Sequence, residues 1–198
     1  MPSVRVPQRS RPSTSLLVAL ALVGCATASS GSSGKLQTTS GPEQRFNMVG
    51  NGFQTTALIT RDGAQGPSVN LGRFDDGATI RGTLLQQPFQ LAVDQAAGSA
   101  TGQAGQGPIT VNAAEEGDQL KCTGLILGRP STLTASRERI QGTVGFCAYD
   151  LGRQGETYVG SRSCGRGISN VTVTFPTSIL EWKPINICVL MAILMSTP

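Results

Sequence analysis

Histidine is absent from this chain of 198 residues. The absence removes the usual general base and the commonest metal ligand, so neither a Ser-His-Asp or Cys-His device nor a histidine-bound zinc site can be built here. No Cys-x-x-Cys spacing is present either. We therefore expect no metal ion, no cofactor and no enzyme of the nucleophile–histidine or zinc–histidine type.

A basic stripe is also missing. Three of the sixteen basic residues, Arg5, Arg9 and Arg11, precede residue 25, which leaves thirteen against twelve acidic ones. Nucleic-acid binding needs clustered Lys and Arg on one face. Arg162 and Arg166 lie in a glycine-rich stretch, where we interpret them as solvated loop residues. We expect no nucleic-acid partner.

Long apolar runs are lacking, and the run at residues 15–23 has only about nine residues, whereas a membrane-spanning helix needs ~20. Three arginines without an acidic residue precede it, and Gly24 and Cys25 follow it. A positive segment, a short apolar segment and a small residue before the cut are typical of an export signal.

The four residues Leu22-Val23-Gly24-Cys25 sharpen this interpretation, because they resemble the lipobox of bacterial lipoprotein precursors. The resemblance covers residues 1–25. It implies that the signal, residues 1–24, is removed and that Cys25 receives lipid, so that the membrane is a partner through the anchor. Ala26 in place of an aspartate favours the outer membrane in a Gram-negative cell envelope.

The remaining chain divides by composition into three parts. Residues 25–44 form a Gly/Ser/Thr-rich linker, which cannot bury a core and is expected to be a disordered tether. Residues 45–176 are rich in turn residues and β-formers, and they predict one β domain. The tail at residues 177–198 loses the glycines and becomes apolar.

Short apolar runs separated by turn signals fill the β domain and recur about every ten residues. This pattern predicts a mainly β fold, a single antiparallel β-sandwich or small β-barrel. The low-complexity stretch 96–107 is expected to be a loop. The predicted strands are 53–60, 69–74, 78–85, 88–93, 108–112, 119–127, 131–135, 139–151, 157–160 and 168–175.

Two short motifs recur along the domain. Ile80-Arg81-Gly82-Thr83 returns as Ile140-Gln141-Gly142-Thr143, and Leu71-Gly72-Arg73 returns as Leu127-Gly128-Arg129. The repetition indicates a β-meander with a duplicated hairpin unit, although a glycine-rich chain gives such matches by chance as well.

The tail contains Trp182, Pro184 and an apolar run at residues 185–195. Pro184 fits the first position of a short helix. We expect a terminal helix or strand packed on the sheet, with membrane association as the alternative. A changed reading frame or a truncation would give the same abrupt change in composition.

Four cysteines follow Cys25, and an exported chain meets an oxidising compartment. Cys147 and Cys164 bracket a predicted hairpin, so we expect them to form a disulfide that contributes ~3 kcal/mol in the chain-entropy model. Cys122 and Cys188 would complete the pairing, but the sequence does not decide whether they do. Without histidine to activate it, Cys164 is not expected to be a reactive thiol.

Carboxylates occur together as Asp75-Asp76 and as Glu115-Glu116-Gly117-Asp118. Both groups are interpreted as turns between strands. Even on a strand, adjacent carboxylates would point to opposite faces of the sheet and would not make a catalytic pair. We expect a lipid-anchored, non-catalytic structural or binding module. The alternatives are a carboxylate-dependent hydrolase, recognisable by convergent acids, and a β-barrel carrier, recognisable by an apolar cavity.

The lipobox makes a direct prediction about anchoring. The wild-type chain should incorporate radioactive palmitate and partition with membranes, because acyl chains bury methylenes at ~0.8 kcal/mol each. The Cys25→Ser chain should incorporate none and should accumulate in uncleaved or released form. Wild-type chain without lipid label would contradict the interpretation.

Overall fold

The computed structural model describes residues 45–105, 107–165 and 167–197; the predicted signal segment, Cys25 and the predicted linker lie outside them. Fourteen strands and one α-helix make up the fold. The strands are β1 (Arg45–Gly50), β2 (Phe53–Thr60), β3 (Gly63–Gln65), β4 (Val69–Phe74), β5 (Thr79–Leu84), β6 (Gln87–Asp94), β7 (Ser99–Ala104), β8 (Gly107–Glu116), β9 (Gln119–Ile126), β10 (Arg129–Ala135), β11 (Arg139–Val144), β12 (Cys147–Gln154), β13 (Thr157–Cys164) and β14 (Gly167–Thr174), and the helix is α1 (Pro184–Ser196).

Each strand pairs with its neighbours in the sequence, and every pair is antiparallel. The last strand, β14, pairs with β1, with Met48 opposite Val173, so the sheet closes into a barrel. Closure gives every edge a partner and leaves no open row of backbone groups. The mainly β prediction is confirmed, and of its two architectures the barrel is the one that forms.

Apolar and polar residues alternate along the strands, which separates the two faces of the sheet. On β6, Phe89, Leu91 and Val93 are buried in the interior, whereas Gln90 and Asp94 are exposed outside. Period-two alternation places successive side chains on opposite faces. The core therefore lies inside the barrel.

Glycine occupies the central inward position on five alternate strands. An added Cβ at any of them would lie 1.9–2.1 Å from a backbone carbonyl oxygen of the preceding strand. On both adjacent strands most of the facing residues are large and apolar; Leu133 and Tyr149 flank Gly142, for example. Alternating large and absent side chains lets the strands approach and bend closely. The five residues are Gly82, Gly102, Gly124, Gly142 and Gly160.

These five glycines, which we call the glycine row, explain one of the two sequence repeats. Gly82 and Gly142 hold equivalent places in β5 and β11, three hairpins apart, so the Ile-x-Gly-Thr match reflects the meander. The Leu-Gly-Arg match does not: residues 71–73 lie within β4, whereas Leu127 and Gly128 form the turn before β10.

Several predicted strands agree closely with the structure, but two predictions are wrong. The stretch 96–107 contains β7 and is not only a loop, because its small inward residues Ala100 and Ala104 pack in the core. The predicted strand 139–151 is split by a turn at Gly145 and Phe146 into β11 and β12. Gly145 has φ 60°, which ends an extended strand.

The helix α1 fills the barrel interior. Ten of its residues are buried, on every side of the helix, and it contacts β7, β8, β9 and β11. A helix that is apolar all round requires an apolar environment on all sides. The tail is thus a helix, as one of the expectations had it, but it packs within the barrel. None of the described residues forms a helix with the length and apolar character that a membrane span needs.

We call the end where β1 and α1 begin the entry end and the other the far end. At the entry end, Pro184 opens the helix and Trp182 holds the chain ahead of it. The Trp182 indole donates to the Thr60 carbonyl at 3.2 Å, and the Arg73 guanidinium lies 4.5 Å from the indole centroid. Arg73 also donates to the Arg61 carbonyl at 2.6 Å, so one side of the entry end is clamped.

At the far end a buried arginine receives the C-terminal end of α1. Arg162 donates through Nε to the Tyr149 hydroxyl at 2.9 Å and through a terminal nitrogen to the Thr197 carbonyl at 3.0 Å. Tyr149 in turn donates to the Met195 carbonyl. A cation near the last carbonyls of a helix is favourable. The interpretation of Arg162 as a solvated loop residue is therefore wrong; it is 8% exposed and points inward from β13.

Two disulfides link parts of the barrel and the helix covalently. Cys147 and Cys164 are bonded across β12 and β13, with Cα atoms 4.2 Å apart, which is the pairing predicted from the sequence. Cys122, inward on β9, is bonded to Cys188 of α1, with Cα atoms 5.4 Å apart. The second bond ties the helix to the barrel wall.

The glycine row predicts a steep difference between two alanine substitutions. Gly142→Ala places a Cβ about 2.0 Å from the Thr132 carbonyl oxygen at φ 133°, and it should lower the free energy of unfolding by about 1–3 kcal/mol or more. Gly152→Ala on β12 meets no atom within 4 Å and should change it by less than about 0.5 kcal/mol. Urea denaturation would measure both; equal effects would refute the packing argument.

Tyr149 predicts a loss of stability in alkali. Burial raises its pKa above the ordinary value near 10, although Arg162 opposes this rise. Above pH ~10 the unfolded chain therefore releases this proton before the folded chain does, and the free energy of unfolding falls as pH rises.

Tyr149→Phe should reduce that alkaline slope, and at pH 8 it should lower the free energy of unfolding by about 1–3 kcal/mol because Arg162 Nε loses its acceptor. Denaturation curves at pH 8 and pH 10.5 test both effects. An identical slope in the wild type and the variant would show that Tyr149 does not titrate with folding.

Candidate functional site

An open cleft of about 680 Å³ lies at the entry end, between α1 and the barrel wall. Clefts of ~300–1,000 Å³ are the usual size of small-molecule sites. The helix contributes Pro184, Ile187 and Met191, which are spaced by three and four residues and so share one face. This face is apolar throughout.

The barrel side of the cleft is apolar as well. Leu120 of β9 and Ala135 of β10 lie opposite each other in the strand register. Phe175, just after β14, packs its ring edge-on against Tyr158, with ring centroids 6.2 Å apart, and in a tilted arrangement against Phe46, with centroids 5.2 Å apart. Leu120, Ala135, Tyr158 and Phe175 line the cleft and are only partly buried, whereas Phe46 is fully buried behind them. The floor therefore offers apolar surface to a ligand.

Two turns border the cleft, the β8–β9 hairpin and the β10–β11 turn, and we call them its lips. Tyr158 fixes the position of the β10–β11 lip. Its hydroxyl donates to the backbone carbonyls of Ser136 at 2.9 Å and Arg137 at 3.3 Å, in the turn between β10 and β11. Burial raises the pKa of Tyr158, Arg153 lowers it, and Glu138 raises it. The phenol is thus a neutral structural donor near pH 7 and holds the turn beside the cleft.

Charged side chains stand at the two lips. Glu115 and Asp118 belong to the β8–β9 hairpin, and Arg137 belongs to the β10–β11 turn. The ion pairs found in the described part of the chain are Lys121–Glu116 at 3.4 Å and Arg139–Asp150 at 2.7 Å. The three lip charges take part in neither pair and are exposed.

The interpretation of Glu115 and Glu116 as turn residues is wrong, because both belong to the end of β8 and only Gly117 and Asp118 form the turn. Alternation along β8 places the two glutamates on opposite faces. Glu115 follows buried Val111 and half-buried Ala113 on the inward face and lies opposite Leu120. Glu116 lies on the outward face, where it pairs with Lys121. Only Glu115 of the two faces the cleft.

The other acidic group lies elsewhere. Asp75 and Asp76 form a 3-10 turn between β4 and β5, on the side of the entry end clamped by Arg73. They do not converge with Glu115 and Asp118. Among the described residues, no group of three His, Cys, Asp or Glu side chains is placed to hold a metal ion.

A second polar cluster lies near the start of α1, but it leaves no space for a ligand. Asn186 is fully buried, and neither its side-chain atoms nor Arg73 Nε has a hydrogen-bond partner in the described structure. The adjoining cavity, lined by Arg73, Trp182 and Val189, is too narrow for a water molecule. These groups pack the helix start against the wall.

The sequence analysis noted Glu115 and Asp118 only as members of an acidic group interpreted as a turn, and it missed the cleft beside them. Its floor combines residues from β9, β10, β13 and α1 that are far apart in the chain. No local signal marked the cleft, because the run 185–195 is apolar at every position except Asn186 and so does not distinguish the face that carries Ile187 and Met191. Comparisons with protein-family models, with curated proteins and with solved structures found no match for this chain.

Proposed function

We propose that this protein is a lipid-anchored module of the bacterial envelope that binds an apolar ligand and does not catalyse a reaction. The cleft beside α1 is the observation that carries the proposal. Its volume suits one small molecule, and its apolar floor and polar lips match the composition of ligand sites. The resemblance to a lipobox, with Cys25 as the lipidated residue, supports the proposed export and membrane anchoring.

The ligand would lie beside the helix, at the entry end. A carrier that encloses its ligand in the lumen requires an empty barrel, and here α1 fills the interior. Two disulfides suit an oxidising compartment outside the cytoplasm. Both points favour a surface cleft on an exported protein.

Hydrolysis by carboxylates has less support. A general acid that works near neutral pH needs a desolvated or closely paired carboxyl group. Glu115 and Asp118 are both exposed at the lip of the cleft, and Asp75 and Asp76 lie elsewhere. The arrangement favours recognition of a ligand over proton transfer.

Filling the cleft should abolish binding of a neutral apolar dye. The dye N-phenyl-1-naphthylamine should fluoresce with the Cys25→Ser chain, which carries no acyl group of its own. Ala135→Trp adds a large ring to the floor and should weaken binding at least ten-fold. Thr132→Trp lies on the outward face of the same strand and is the matched control, expected to bind like the parent chain.

Leu180→Asp provides a second test at an exposed position of the cleft, where loss of folding is not expected. It should weaken dye binding because a charge replaces apolar surface. Circular dichroism would verify the fold of each variant. Unchanged dye binding in both Ala135→Trp and Leu180→Asp would overturn the proposed function.

A further inference from the structure

The two lips of the cleft carry opposite charges. Glu115 and Asp118 stand on the β8–β9 hairpin, and Arg137 stands on the neighbouring β10–β11 turn. None of the three belongs to an ion pair of the described structure, whereas the charges just outside the cleft do. A ligand with both signs of charge would therefore meet free partners on both lips.

The Glu115 carboxylate lies next to the apolar floor of the cleft. It lies on the inward face of β8 and directly opposite Leu120, whose side chain lines the cleft. A cation held at Glu115 would sit at the mouth, at the boundary between solvent and apolar surface. The rest of the molecule would extend over Ile187 and Met191 of α1.

The β10–β11 lip lies next to the β8–β9 lip along the barrel wall, because β10 pairs with β9, and its backbone is held in place. The Tyr158 hydroxyl bonds the carbonyls of Ser136 and Arg137, so the turn that carries the Arg137 side chain is anchored to the barrel. The guanidinium is planar and offers several donors, which suits a phosphate or carboxylate group. The two lips thus offer a cation site and an anion site over one apolar floor.

We propose that the ligand is a single-chain amphiphile with a zwitterionic head group. Its ammonium group lies at Glu115 and Asp118, its phosphate group lies at Arg137, and its alkyl chain covers the floor. This inference rests on the proposed function. Because the lip charges are exposed, each contributes only about two- to five-fold to affinity, and the chain contributes the rest.

Three twelve-carbon amphiphiles separate the head group from the chain: dodecylphosphocholine, dodecyl phosphate and dodecyltrimethylammonium. Each would displace the neutral dye from the Cys25→Ser chain, below its micelle-forming concentration. Dodecylphosphocholine should bind tightest. The other two should bind about two- to five-fold more weakly, because each lacks one of the two charges.

Variants that replace a charged side chain by a neutral one test which lip residue binds which charge of the head group. Arg137→Gln should weaken the two phosphate-bearing amphiphiles and leave dodecyltrimethylammonium unchanged. Glu115→Gln should weaken the two ammonium-bearing ones and leave dodecyl phosphate unchanged. Glu116→Gln, on the outward face of the same strand, is the matched control and should change none of the three.

Equal affinity for all three amphiphiles, or no effect of Glu115→Gln and Arg137→Gln, would overturn the zwitterion inference while dye binding in the cleft remained. Tightest binding of dodecyl phosphate or of dodecyltrimethylammonium would overturn it as well. Failure of the proposed function looks different: the dye then binds the Ala135→Trp and Leu180→Asp variants as well as the parent chain.

Discussion

The need to fill the interior of the barrel is the constraint on which the rest of the structure depends. Eight strands close to an interior that side chains alone can fill, and the diameter grows with strand number. A closed barrel of fourteen strands needs further material inside. Here α1 supplies it, and the Cys122–Cys188 bond, Arg162 at the far end and Trp182 at the entry end hold it in place.

The two ends of the helix have different surroundings, and the cleft follows from that difference. At the far end, Arg162 and Tyr149 donate hydrogen bonds to the carbonyls of Thr197 and Met195, so the last carbonyls of the helix end are satisfied and buried. At the entry end, the chain before α1 packs towards β2 through Ser178 and Trp182. The opposite side, under the β8–β9 and β10–β11 turns, is left open. One cylindrical helix in a wider lumen thus produces an apolar cleft beside it.

Much of the barrel was predictable because strands and turns are encoded locally. Alternation and turn residues located β2 and β4 to within a residue, and the hairpin around Cys147 and Cys164 predicted their bond. The small-residue stretch 96–107 gave no strand signal, because glycine and alanine have weak strand preferences of their own. Their place in β7 depends on the neighbouring strands, which fit closely only against small side chains.

The sequence by itself determined the succession of hairpins and the inward or outward direction of most side chains, since these depend on residues close together in the chain. Only the tertiary structure decided that the sheet closes, that the apolar tail lies inside it and that Arg162 is buried. It also decided that Glu115 and Arg137 face one cleft. Those features depend on contacts between residues far apart in sequence, where closure, filling of the lumen and pairing of buried polar groups determine the outcome.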